Sequence, residues 1–270
     1  MCEKTELVML GTGHATVTKC YNTCFVLKNS QTSLLIDAGG GNGILKQLEN
    51  AKIPLHEIDG IFVTHAHTDH LLGVVWVIRM FAQAILSGQT KKKFRIYSHD
   101  KVLQLLVFIC RETLSNKFIP LYANEIEFRE VSHNVYAKVG NINMQFFDIG
   151  SSQEVQFGFR AILPDNKILV CMGDEPYKEE LLPFAQNADW LLHEAFCLYK
   201  DRSIYEPYEK NHGTALDAGR IAGRLKIKNL LLYHTEDDNL TSRKYTYTEE
   251  ARKLFSGQVF VPDDLERITL

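Results

Sequence analysis

The chain has no excess of basic charge: its 270 residues carry a formal charge of −3. A protein that grips polyanions over its whole surface carries the opposite balance, so only a local basic patch stays open. The N-terminus, MCEKTELVMLGTG, has no basic-then-apolar leader pattern. Long apolar runs are also missing. The longest, LLGVVWVI at 71–78, ends at Arg79, and the segment out to Leu86 falls short of the roughly 20 residues that a spanning helix needs. It reads as a buried helix of a soluble, cytoplasmic protein with no membrane partner. Cysteines number six, none in a C-x-x-C pair, so reduced, mostly buried thiols are expected. Cys20 and Cys24 stand four apart, but with no second cysteine or histidine pair nearby a ligand pair is the lesser reading. There is no Pro/Gly/Ser linker, no low-complexity segment and no short-period repeat. With 45% hydrophobic residues, one domain over residues 1–270 is expected.

Hydrophobic periodicity orders the elements. ELVMLG reads as a strand, and NTCFVLKN and TSLLIDAG as a strand pair. NGILKQLENA has helical spacing, IDGIFVTH is a buried strand, and HLLGVVWVIRMFAQAIL is a long helix. KKFRIYSH is a strand, followed by the amphipathic helix DKVLQLLVFICRETL with Asp100 as its N-cap. The second half repeats the plan, with strands at EIEFREV, NINMQFFDI, VQFGFRAIL, KILVCMGD, ADWLLHEA and IKNLLLYHT. It adds a helix at TALDAGRIAGRLK, a short helix near TEEARKLFS and a last strand, QVFVPDD. Two similar halves, each a sheet with helices outside, predict an α/β fold: a four-layer αββα sandwich.

Several apolar strands stop abruptly in polar residues: FVTH, VCMGD, LLHE and LLYH. Residues 65–70, H-A-H-T-D-H, place three histidines and an aspartate in six positions. Imidazole and carboxylate donors suit zinc, manganese or iron. Two ions need more donors than one segment supplies, and the strand-end residues Asp174 and His234 are the candidates. A carboxylate at Asp174 would bridge ions about 3.5–4 Å apart. The glycine run DAGGGNG lacks the G-K-[ST] ending of a phosphate loop. It reads as a tight turn, with Asp37 placed to orient a ligand histidine.

The motif THAHTDH resembles the signature of the metallo-β-lactamase-fold hydrolases. LGTG, LIDAGGGNG, FVTHAHTDHLLG, MGDEP, DWLLHEAF, HGTALDAGRIA and LLYHT are together most similar to the ribonuclease Z branch, in order along nearly the whole chain. The resemblance implies two metal sites. His65, His67 and a further histidine would form the first, and Asp69, His70 and His234 the second, with Asp174 bridging. It further implies that Glu194 and His212 pair to protonate the leaving group, that Asp69 orients the attacking water, and that the protein is a homodimer. The further histidine is absent. It is expected at Gly150 or Ser152, so one or two divalent ions remain open, zinc foremost and manganese or iron as alternatives. His14 is considered as a ligand or substrate contact. His193 is at most a neighbour of the site, Asp148 a weak donor, and His56, His99 and His133 ordinary residues.

A metal-activated water attacking phosphorus, with Glu194 and His212 in place, favours a phosphodiesterase on a small-molecule or short single-stranded substrate. The long arm with which the transfer-RNA-processing enzymes clamp RNA has no counterpart in AILPDNKILVC, and TEDDN follows His234 directly. Transfer RNA is therefore not the expected partner. CLYKDRSIYEPYEKN, residues 197–211, is either a lid or a self-packed loop. An ester, thioester, lactone or sulfate-ester hydrolase on the same fold, and a binding protein with a degenerate metal site, are the alternatives.

Overall fold

A computed structural model describes residues 4–270 of the chain, which leaves Cys2 outside the described residues. Strands β1 (Glu6–Gly11), β2 (Cys24–Lys28), β3 (Ser33–Ile36), β4 (Gly60–Phe62), β5 (Phe94–Ser98) and β6 (Ile126–Glu130) come first. Then come β7 (Val135–Val139), β8 (Ile142–Asp148), β9 (Phe157–Ile162), β10 (Ile168–Cys171), β11 (Trp190–Glu194), β12 (Asn229–Tyr233), β13 (Gln258–Phe260) and β14 (Arg267–Thr269).

They form two seven-stranded sheets, ordered β14-β1-β2-β3-β4-β5-β6 and β7-β8-β9-β10-β11-β12-β13. Read in those directions, each sheet has three antiparallel pairings followed by three parallel ones. The two halves therefore share one plan, with the last strand, β14, holding in the first sheet the place that β7 holds in the second. Parallel steps need crossovers. Helices α1 (Gly43–Asn50), α2 (Thr68–Leu86) and α3 (Asp100–Thr113) serve the first sheet. The second is served by α4 (Leu182–Ala185), α5 (Arg202–Tyr205), α6 (Ala215–Arg224) and α7 (Leu240–Arg252).

Strand alternation sorts the core into three layers. Leu7, Met9, Phe25 and Leu27 join Phe146, Phe159 and Leu192 between the sheets. Their neighbours Val8, Leu10 and Val26 pack instead under Val74, Ile78 and Phe81 of α2. On the far side Val170, Leu191 and Leu230 pack under Ala218, Ala222 and Tyr247. The result is the αββα sandwich of the metallo-β-lactamase fold. By length and composition α2 could cross a membrane, but 61% of its most apolar window is buried within the fold, so it is a core helix. It lies close to the loop after β3: a Cβ at Gly73 would stand 1.8 Å from the Ala38 carbonyl oxygen.

Four expectations need correction. EIEFREV opens no second half, because β6 pairs with β5 at the edge of the first sheet. Strands β7 and β14 were not anticipated. The TEEARKLFS helix is the 13-residue α7, which begins at Leu240. Asp100 is not an N-cap: His99 holds that position without a side-chain bond, and Asp100 is the first helical residue, where its charge faces the helix dipole. The described cysteines are free, Cys24, Cys110, Cys171 and Cys197 buried and Cys20 half-buried.

Candidate metal centre

The polar residues that end the apolar strands gather at one place, the carboxyl ends of β3, β4, β10, β11 and β12, where open α/β sheets hold ligands. His65, His67 and Asp174 bring three donor atoms within 4.8 Å of one another, and so do Asp69, His70 and His234. Asp174, a member of the first triad, also reaches the histidines of the second. Its Oδ2 lies 3.5 Å from His65 Nε2, 3.2 Å from His70 Nε2 and 3.5 Å from His234 Nε2. Asp69 Oδ2 lies 3.3 Å from His70 Nε2 and 3.7 Å from His234 Nε2. Donors on a tetrahedral ion at about 2.0–2.1 Å stand roughly 3.3 Å apart, so these separations suit coordination shells.

Hydrogen bonding behind the donors fixes which ring nitrogens face inward. Asp37, buried just after β3 at φ 54°, accepts from Thr64 N–H at 2.8 Å and from Thr64 Oγ1 and His70 Nδ1, both at 2.7 Å. Thr64 gives its one hydroxyl proton to that carboxylate, so His65 Nδ1, 2.9 Å from Thr64 Oγ1, is the donor there. Nε2 of both histidines is then a lone pair, aimed in His70 at the Asp69 and Asp174 carboxylates and lying in His65 2.9 Å from His67 Nδ1 and 3.5 Å from Asp174 Oδ2. The Nε2 atoms of His70 and His234 have no hydrogen-bond partner although buried. Acceptors crowded in this way need a cation among them. Burial holds the His65 pKa well below the usual imidazole value. Burial disfavours charge on His70 as well, yet the adjoining Asp69 and Asp37 carboxylates raise its pKa. Asp174 is buried too, but His65, His70 and His234 bring its pKa well down. The donor set fits divalent metal.

The loop where a further histidine was expected turns its candidates outward. Gly150 and Ser152 are exposed. Gln156 reaches the centre from that segment instead. Its Nε2 donates to Asp174 Oδ1, and its Oε1 accepts from Asp174 N at 3.3 Å. The fit requires Gly173, at φ 77°, where a Cβ would stand 2.6 Å from Gln156 Oε1. Asp148 caps its own turn through Gly150 N and stays out of both triads.

Glu194 ends β11 fully buried and accepts from Gly213 N at 2.5 Å and Phe196 N at 3.1 Å. Burial raises its pKa well above the carboxylate range. His212 Nδ1 stands 3.9 Å from Glu194 Oε2, beyond hydrogen-bond length. Burial first, and then His234, bring the His212 pKa down to about 4. Neighbouring His193 faces the other way along the strand and bonds the Glu194 carbonyl at 2.7 Å. A cavity of about 190 Å³ opens over the centre, walled by His14, Phe196, Lys210, His212 and Glu175.

The segment at 197–211 is tied down by its tyrosines. Tyr205 donates to Asp238 at 2.9 Å and Tyr208 to Asp217 at 2.8 Å. The acids of TEDDN are engaged as well: Glu236 is buried, Asp237 accepts from Thr18 and Lys19 N–H, and Asp238 pairs with Lys19 Nζ at 2.9 Å. These contacts brace the mouth of the site, and Lys19 offsets one of the acidic charges there.

A family model described as "Anti-Pycsar protein Apyc1" matches residues 5–245. A ribonuclease Z of Thermococcus sibiricus is 27% identical over 98% of this chain and 96% of its own length. Among solved structures, the metallo-β-lactamase-fold protein YhfI of Bacillus subtilis superposes with a TM-score of 0.76 at 20% identity, covering 99% of this chain and all of that one. A diphosphatase of the PhnP family gives 0.74 at 17% identity, covering 98% of each.

Proposed function

The chain belongs to the anti-Pycsar protein Apyc1 family and is a metal-dependent hydrolase, and from that premise we propose that it cleaves small phosphodiesters at a two-metal centre. The observation that carries this is the Asp174 carboxylate, which belongs to the first triad and adjoins the second, its Oδ2 3.2–3.5 Å from histidine nitrogens of both. His65, His67 and Asp174 would hold one ion, and Asp69, His70, Asp174 and His234 the other. Zinc is the metal that we expect for these nitrogen and oxygen donors. Bound metal supplies an ionised water at neutral pH, lowering a water pKa of about 15.7 to about 7.

The protein's own groups do the rest. Asp69, itself one of the donors, lies in the first turn of α2 and would also orient the attacking water. His212 stands across the cavity, 3.9 Å from Glu194, to protonate the departing oxygen, taking up the proton it delivers when an anionic substrate beside it offsets its lowered pKa. Lys210 contributes positive charge at the wall of the cavity, as an anionic substrate requires. A cavity of about 190 Å³ favours a compact substrate. The β9–β10 connection supports the same choice: Leu163 N bonds Lys167 O at 2.9 Å, which closes a tight hairpin with no room for an RNA-clamping arm.

The test combines metal analysis with a substrate panel. Protein prepared without chelators should hold two ions per chain, and His65→Ala should hold fewer. The metal-loaded protein should hydrolyse bis(p-nitrophenyl) phosphate and one or more of the small phosphodiesters, cyclic mononucleotides and dinucleotides. His212→Ala should lower kcat by about 10²–10⁴. Turnover of thioesters, lactones or aryl sulfates with none of phosphodiesters would move the protein to a different hydrolase class.

A further inference from the structure

His14 lines the cavity, belongs to neither donor triad and is not part of the Glu194–His212 pair. Its backbone is anchored to the centre. His14 N donates to the carbonyl of Thr235, the residue after His234, at 3.1 Å, and Thr235 N donates to Thr12 O at 3.0 Å. Asn22 Nδ2 holds the His14 carbonyl at 2.9 Å. The ring is placed as firmly. One face of Phe196 lies 4.5 Å from it, centroid to centroid, and Phe196 in turn stacks on His212 at 4.6 Å and 8°. Three rings thus form one wall of the cavity, with the proton donor of the proposed reaction at one end and His14 at the other.

The tautomer of His14 follows from its neighbour. Thr16 N–H, which can only donate, meets His14 Nδ1 at 3.3 Å. Nδ1 is therefore the acceptor, and the ring proton is on Nε2. Nε2 makes no hydrogen bond with any described residue. A ring whose Nδ1 accepts a hydrogen bond carries one proton and is neutral. A neutral N–H donor with no protein partner, on a ring held by backbone bonds and stacking, is placed to serve a ligand.

We propose that His14 is a substrate-binding residue whose Nε2–H donates to a non-bridging oxygen of the scissile phosphate. The assignment rests on the phosphodiesterase reading and deepens it. A phosphodiester carries two non-bridging oxygens, so one would be left for His14 if the other met metal, and His14 would select for such a group over a planar carbonyl.

The experiment uses zinc-loaded protein and inorganic phosphate, followed by calorimetry, so that binding is read apart from turnover. His14→Phe keeps the stacked ring and removes the donor, whereas His14→Gln restores an N–H. His14→Phe should keep the wild-type metal content and melting temperature yet bind phosphate about tenfold more weakly, and His14→Gln should recover most of that loss. With a turned-over phosphodiester, His14→Phe should raise KM more than it lowers kcat. Phosphate affinity within twofold of wild type would overturn the assignment. So would loss of a metal ion from His14→Phe, which would make His14 a ligand, or failure of the wild-type protein to bind phosphate at all. If phosphate binds, depends on His14, and no phosphodiester is cleaved, His14 remains a phosphate-binding residue, while the phosphodiesterase reading falls and the scissile phosphate with it.

Discussion

Asp37 accepts three hydrogen bonds, from Thr64 N–H, Thr64 Oγ1 and His70 Nδ1. It contributes no atom to either triad, yet it sets which nitrogen of His65 and His70 faces inward. Neutralising that carboxylate removes the charge that makes both imidazoles better donors, an effect of about 10–100-fold in metal affinity. Asp37→Asn is the appropriate substitution, because asparagine tolerates the left-handed backbone at φ 54°. Competition against a chromophoric chelator should show the loss with the far-ultraviolet circular dichroism unchanged; unchanged affinity would mean that Asp37 only shapes the turn. The donors themselves were legible from strand-end positions and motif spacing, since imidazole and carboxylate residues clustered at strand ends have few structural uses. Gln156 was not. Its carboxamide is one of many in the sequence, and only the folded loop shows that it reaches Asp174 while Gly150 and Ser152 turn to solvent.

Elements were legible where burial imposes a period and illegible where it does not. β4, α2 and β12 are apolar and buried, and their apolar stretches mark them out. β7, VYAKV, is an edge strand with four of its five residues at least partly exposed, so it has no apolar alternation to read. β14 spans only three residues and is recognised by pairing with β1, some 260 residues away along the chain. α7 hides its role differently, because it buries Arg243 and Glu250 alongside Tyr247 and Ala251. Arg243 ties three strand ends together: it donates to Thr12 Oγ1 at 3.0 Å after β1, to Thr235 Oγ1 at 2.9 Å after β12, and to Pro262 O at 2.8 Å after β13. Arg243→Met keeps the volume of the stem and takes the donor from all three buried acceptors, the two hydroxyls keeping only their own bonds to Asp264 Oδ1 and the Glu236 carbonyl. A cost of about 3 kcal/mol is expected, read as a lower urea midpoint at unchanged m-value. A change under about 0.5 kcal/mol would show that water replaces the guanidinium without loss.

At the scale of the molecule, the two similar halves meet at the metal centre. His65, His67, Asp69 and His70 come from the half that carries β4, while Asp174 and His234 follow β10 and β12 in the other. Neither half would complete a two-ion centre alone, so bound metal would join them, and its removal would leave buried carboxylates and imidazole nitrogens facing one another. Ligands that bind only the folded state add RT ln(1 + [L]/Kd), about 4 kcal/mol at a thousandfold excess over Kd. For a chain of this size that corresponds to a melting-temperature difference on the order of 10 °C. Calorimetric scans of metal-loaded and chelator-treated protein should show it, and re-addition of zinc should restore it. In His65→Ala, which lacks a donor to the first ion, the difference between loaded and chelated protein should shrink while the chelated forms melt close together. Equal melting temperatures for loaded and stripped wild-type protein, with metal content verified in both, would mean that the ions sit on the fold without holding its halves together.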